Sequence, residues 1–292
     1  MRPWSHLRPD ASTRQVGVPE VLAAARTLRA EPAGAPATSL GEHPVWSAAH
    51  GGLLWVDIEA GRLLRTRDDG ATDEVFSGAG TLGAGLPTSQ DRLILLSQDG
   101  ALSVAADGSD PRRIGGAPPA GMRFNDAGLD PRGRVWAGVL PLEDPAPGEI
   151  PSGELWRLGD DGQWESVFGE MGCPNGIVWS ADGRTVLCCE SDSRQIAAAD
   201  YDPATGQADN WRVAWQFSGD GDWVPDGLEW LSDGRLWVAF WGLGAAVRFS
   251  PSGEIDLVAR TEDERTTSVA TDPSGRVWVT AAGGLFRLDQ AG

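Results

Sequence analysis

One pattern returns along most of this chain and restricts the folds open to it. It is a short apolar strand, a turn, then a second strand rich in Trp and Val. It reads PVWSAAHGGLLWVDI at 44–58, GLDPRGRVWAG at 128–138, IVWSADGRTVLCC at 177–189, LEWLSDGRLWVAF at 228–240 and VATDPSGRVWVTA at 269–281. A weaker copy, LPTSQDRLILLS, stands at 86–97. With the turns taken at Gly52, Asp91, Gly133, Gly183, Gly234 and Gly275, the intervals are 39, 42, 50, 51 and 41 residues. Six units of roughly 40–50 residues have the size of a four-stranded propeller blade. Most units continue into a second hairpin, as in GRLLRTRDDGATDEVF, GELWRLGDDGQWESVF and AAVRFSPSGEIDLVAR, each alternating about a DG, DDG or SG turn. The sequence therefore predicts an all-β chain, a six-bladed β-propeller with four antiparallel strands per blade.

Residues 1–20 precede the pattern and read as a flexible N-terminal extension; residues 21–292 read as a single propeller domain. The last hairpin, GGLFRLDQ at 283–290, is short. A strand from within 24–32 is expected to complete that blade and close the ring, which removes open sheet edges. The stretch PEVLAAARTLRAE at 19–31 suits a helix by propensity as well as it suits a strand.

Charge and composition narrow the function. Lys plus Arg is 24 and Asp plus Glu is 42, so the net charge is 24 − 42 = −18. A surface that acidic repels phosphate backbones and anionic headgroups, so neither a nucleic acid nor a membrane is expected as partner. No apolar run approaches the ~20 residues of a membrane helix, and the first residues lack the apolar region of a signal peptide. Cys173, Cys188 and Cys189 are odd in number and two are adjacent, which is no disulfide framework and fits a reducing cytoplasm. There is no CxxC pair for a thiolate zinc site. The only histidines are His6, His43 and His50, and they form neither HExxH nor a Ser-His-Asp set at ordinary spacing. Hydrolytic chemistry here would rest on carboxylates or a metal. The expected partner is a small-molecule substrate, and the expected state a monomer or weak homo-oligomer.

The first strand of each propeller blade lines the central channel. Asn125, Asn175 and Asp226 each lie eight residues before their turn glycine, and Glu42 lies ten before Gly52, where the turn is longer. Equal offsets in rotationally related blades place these side chains on one ring. Two carboxylates and two amide oxygens converging at a channel mouth suit Ca²⁺, Mg²⁺ or Mn²⁺, and Zn²⁺ can also occupy them. Without a cation, Glu42 and Asp226 would face each other at a repulsive cost. The plainer alternative is that PNG and PDG are ordinary turn tripeptides.

These residues resemble the SMP-30/gluconolactonase (regucalcin-like) family over about residues 40–289. The resemblance is carried by Gly41-Glu42-His43-Pro44-Val45-Trp46, Arg123-Phe124-Asn125-Asp126 with Asp130-Pro131, Pro174-Asn175-Gly176 and Pro225-Asp226-Gly227. It implies a six-bladed propeller with one divalent metal ion in the channel, held by Glu42, Asn175 and Asp226. It also implies that Arg123 and Asn125 hold the substrate's oxygens, with Asn125 close enough to reach the metal through water. Glu143, eighteen residues after Asn125, falls where the family has a substrate-contacting glutamate on a lid-like loop; a solvated loop carboxylate is the other reading. His43 replaces the family's usual glycine and reads either as an imidazole beside the metal or, preferably, as an exposed turn residue. Glu190 stands where the family has Asp, and Ala127 where it has Gly.

The function expected from this is metal-dependent hydrolysis of a sugar-acid or related lactone by metal-activated water, with Asp226 as general base. A lactone is an activated ester and needs no covalent nucleophile, in keeping with the absence of GxSxG. The rival readings are a propeller esterase that leans on histidine, a repurposed family member acting on a non-sugar substrate, and a non-catalytic metal-binding propeller. Trp46, Trp136, Trp237 and Trp278 are expected in the core, whereas Trp179, Trp230, Trp223 and Trp241 are candidates to stack on a substrate at the mouth.

Overall fold

A computed structural model describes residues 2–18, 22, 25–88, 91–143, 149 and 152–289. Its strands form six sheets of four or five strands each, antiparallel except for one outermost parallel strand in each five-stranded sheet. The innermost strands are Gly41–Ser47, Leu82–Pro87, Met122–Leu129, Pro174–Trp179, Val224–Trp230 and Thr266–Thr271, in blades one to six. Each touches the inner strand of the next blade, and the last touches the first, so the ring is closed. This is the expected six-bladed propeller. Glu31–Pro32 pairs antiparallel with Gly284–Leu288 as the outermost strand of blade six, which is the closure expected from 24–32. The helical alternative for 19–31 falls in part on residues 19–21, 23 and 24, outside the described residues.

The repeated turns explain the period. Each inner strand reverses through a tight turn whose glycine sits in the left-handed region, as at Gly133 (φ 81°) and Gly234 (φ 86°). In blade two, Asp91 takes the left-handed role itself, with φ 54°, a conformation aspartate tolerates better than most residues. Trp136, Trp237 and Trp278 lie on the second strands and are fully buried between blades, as expected. The fourth member of that set is Trp55, not Trp46: Trp55 lies three residues after Gly52, as Trp136, Trp237 and Trp278 lie three after their turn glycines, whereas Trp46 stands on the inner strand with Trp179 and Trp230. Trp46 is instead half-buried on the inner strand.

Periodicity stops short of residues 1–20, yet described residues of this segment also pair with the ring. Arg2–Pro3 pairs in parallel with the outer strand of blade three, Arg14–Gly17 with that of blade four and Thr27–Arg29 with that of blade five. With Glu31–Pro32 on blade six, the N-terminal segment is a belt across four consecutive blades. It covers edges that would otherwise expose unpaired backbone groups. Trp4 locks it in place, buried edge-on against Phe168 at 5.3 Å. Among the described residues no helix is long and apolar enough to cross a membrane.

Candidate active site

Every inner strand carries a β-bulge near its start, between Glu42 and Val45 in blade one, Phe124 and Ala127 in blade three, Asn175 and Ile177 in blade four, and Pro225 and Leu228 in blade five. Blades two and six are bulged at Gly83 and Thr267. A bulge leaves an extra residue unpaired and re-aims its side chain. The same defect repeated six times carries Glu42, Asn125, Asn175 and Asp226 to one level of the channel. PNG and PDG are thus parts of strands and not turns. Their glycines serve close blade contact: a Cβ on Gly176 would lie 2.4 Å from the Leu228 side chain, and one on Gly227 2.5 Å from the Ser268 Cβ.

The four side chains are all buried. Asn125 Nδ2 donates to Asn175 Oδ1 at 2.5 Å and to the Pro174 carbonyl at 3.0 Å. Arg123 Nη1 donates to Asn125 Oδ1 at 2.6 Å, which ties the guanidinium to the ring. Asn175 Nδ2 donates to Ser191 Oγ at 2.9 Å, and that hydroxyl donates to the Pro225 carbonyl at 2.6 Å. Glu190 accepts the backbone N–H groups of Gly172, Cys173 and Ser193, so it anchors the loop before Asn175.

The carboxylates are the electrostatic problem of the ring. Burial, and then the charge of Asp126, pushes the Glu42 carboxyl up to about 8. Burial, then the charges of Glu42 and Asp126, pushes Asp226 well above the usual carboxylate range. Glu42 Oε2 at least accepts the His43 N–H at 2.7 Å. Asp226 Oδ1 is buried and has no partner among the described residues. Burial lowers the pKa of Arg123, while Cys173, Glu42 and Asp226 pull it back up. Buried acceptor atoms without donors are costly and rare. Two such carboxylates beside an amide oxygen form the donor set of a hard cation, so Glu42, Asn175 and Asp226 fit one divalent metal ion. Among the described residues no three His, Cys, Asp or Glu side chains are so placed that they could hold a metal ion by themselves; the set here includes an amide.

Other candidates fall differently. Glu143 is exposed, one residue after Leu142, whose N–H reaches the Gly121 carbonyl at 2.9 Å; it stands on the rim that carries Arg123 but touches none of the ring residues. His43 is not an exposed turn residue. It is only 6 % exposed, adopts φ 49°, and its Nδ1 lies 2.6 Å from Asp126 Oδ1. The left-handed backbone explains why glycine would serve there, and the Asp126 contact is what holds an imidazole in its place. Trp223 cannot stack on a substrate, being 2 % exposed, packed on Phe240 and covered by Arg194. Trp241 is half-buried at the end of its strand. Sequence reasoning missed Asp126 and Ser191 as supports; the only hint of Asp126 was a second polar residue directly after Asn125.

Comparison with known proteins identifies relatives of this chain. The profile of the SMP-30/Gluconolactonase/LRE-like region matches residues 40–283. The pentonolactonase XacC of Haloferax volcanii is 32% identical over 248 residues, covering 84% of this chain and 82% of that protein. Regucalcin of Macaca fascicularis is 28% identical over 282 residues, covering 86% of this chain and 91% of its own. The crystal structure of a calcium-binding protein, regucalcin, from Agrobacterium tumefaciens superposes with a TM-score of 0.80 at 21% identity, over 90% of this chain and 94% of that one.

Proposed function

The chain belongs to the SMP-30/gluconolactonase/LRE-like family, and from that premise we propose that it hydrolyses a lactone of a sugar acid or related small molecule, using one divalent cation held by Glu42, Asn175 and Asp226. The observation that carries this reading is Asp226 Oδ1, buried, unpartnered and facing a second buried carboxylate. A relative named a pentonolactonase, and a neighbour described as a calcium-binding protein, support the substrate class and the cation.

When bound, the cation supplies polarisation of the ester carbonyl and acidifies water. The protein's own groups do the rest. Arg123, fixed by Asn125, presents its planar donor fork to the carboxylate released on ring opening. Asn125 orients the lactone oxygens, and the Asp226 carboxylate, holding the cation through one oxygen, takes the proton of the attacking water on the other. Glu143, on the rim, reads the substrate's hydroxyls. No acyl-enzyme is needed, because the lactone is already an activated ester.

The test is to strip the protein with chelator and follow proton release from a panel of lactones at neutral pH, restoring Ca²⁺, Mg²⁺, Mn²⁺ and Zn²⁺ one at a time. Turnover should return with metal and fall about 10²–10⁴-fold in Asp226→Ala, the range for loss of a proton acceptor. Metal binding without opening of any lactone would remove the lactonase reading and leave a metal-binding propeller.

A further inference from the structure

The channel has a second mouth, and it is built from different chemistry. On the turn side of the ring lies a cavity of about 660 Å³, lined by the later residues of the inner strands. Trp46, Trp179 and Trp230 each stand four residues after Glu42, Asn175 and Asp226, and all three line it half-buried. The Nε1 atoms of Trp46 and Trp179 are out of solvent, so these rings meet the cavity with carbon surface and not with their N–H groups. Three carboxylates, Asp126, Asp182 and Glu229, line the same space; among the described lining residues there is no arginine or lysine, and His43 is held on Asp126 at 2.6 Å. Glu229 is held in place by the Thr271 N–H at 2.7 Å and hydroxyl at 2.6 Å.

The geometry points to a second binding site in this mouth, for an organic cation of the quaternary-ammonium or flat aromatic-cation class. Indole π-surface attracts such cations, and three surrounding carboxylates, only one of them paired with an imidazole and none with an arginine or lysine of the lining, favour them over anions. The volume is in the range of small-molecule pockets. An anionic product of lactone opening is excluded here by the same charges, so this site and the metal ring take opposite ligands.

The test is calorimetry with benzyltrimethylammonium, benzyl alcohol and benzoate on the full chain at pH 8, where Glu229, pushed up to about 7 by burial, is ionised. The cation should bind saturably, benzyl alcohol about tenfold more weakly and benzoate not at all. Trp230→Ala and the near-isosteric Glu229→Gln should each weaken the cation about tenfold, while Asp226→Asn at the other mouth leaves it unchanged. Equal binding of all three probes, no saturable binding, or a loss seen in Asp226→Asn but not in Glu229→Gln would each overturn the proposal.

Discussion

The two ends of the inner strands share one backbone and present opposite surfaces. At the bulged end stand Glu42, Gly83, Asn125, Asn175, Asp226 and Thr267; four residues on stand Trp46, Pro87, Leu129, Trp179, Trp230 and Thr271. Within the first set, Glu42, Asn125, Asn175 and Thr267 are held by short hydrogen bonds while Asp226 Oδ1 is left without one, so polar atoms end up close together out of water. Beyond the bulge, regular pairing resumes and bulky rings wedge between blades with only part of each surface free. A propeller strand can thus gather buried polar ligands at one end and indole surface edged with carboxylates at the other, and a single irregularity divides them.

That contrast breaks most visibly at the charged end. Glu42→Gln should weaken divalent-metal affinity and lactone turnover at least about a hundredfold, read by calorimetry and by proton release. The metal-free protein should also show the strain of the ring in its pH dependence. Glu42 titrates near 4.5 when unfolded and near 8 when folded, so the folded state binds the extra proton between those values. Stability should therefore fall as pH rises from about 5 to 8, by up to about 1.4 kcal/mol per unit. Added metal should flatten that slope in denaturant titrations, and Asp226→Asn should raise metal-free stability by about 1–2 kcal/mol while abolishing the metal effect. Gly176→Ala sets a Cβ against Leu228 and should cost roughly 1–3 kcal/mol, lowering the melting temperature and metal affinity together. The smallest effect belongs to the aromatic end: Trp230→Phe should cost less than about 1.5 kcal/mol and leave lactone turnover unchanged. A fall in turnover there would join the two mouths into one site.

The blades were legible because a hydrophobic period and tight turns are local properties, repeated often enough to average out a poor copy such as the one around Asp91. Asn125, Asn175 and Asp226 were legible as a set because rotation converts equal offset into equal height. His43 with Asp126 was not, since the pair joins two blades across 83 residues and neither residue alone departs far from a turn signal. Trp46 was misplaced because it precedes its turn, on the inner strand, whereas Trp55 has the offset of three from the turn glycine that the other core tryptophans share. The belt left no trace in the pattern: its strands run to two, three or four residues, too short to alternate, and they bind mainly through backbone.

The belt has a consequence for the order of folding. Arg2 pairs with Phe168, Arg14 with Trp215, Thr27 with Val258 and Glu31 with Arg287, so the first-made segment finds its partners among those made after mid-chain. These are contacts of very high sequence separation, and the loop entropy they close is lost before any pairing rewards it. Blades three to six must each present an outer edge before the belt can dock, and until it does, those edges stand open to pairing with another chain.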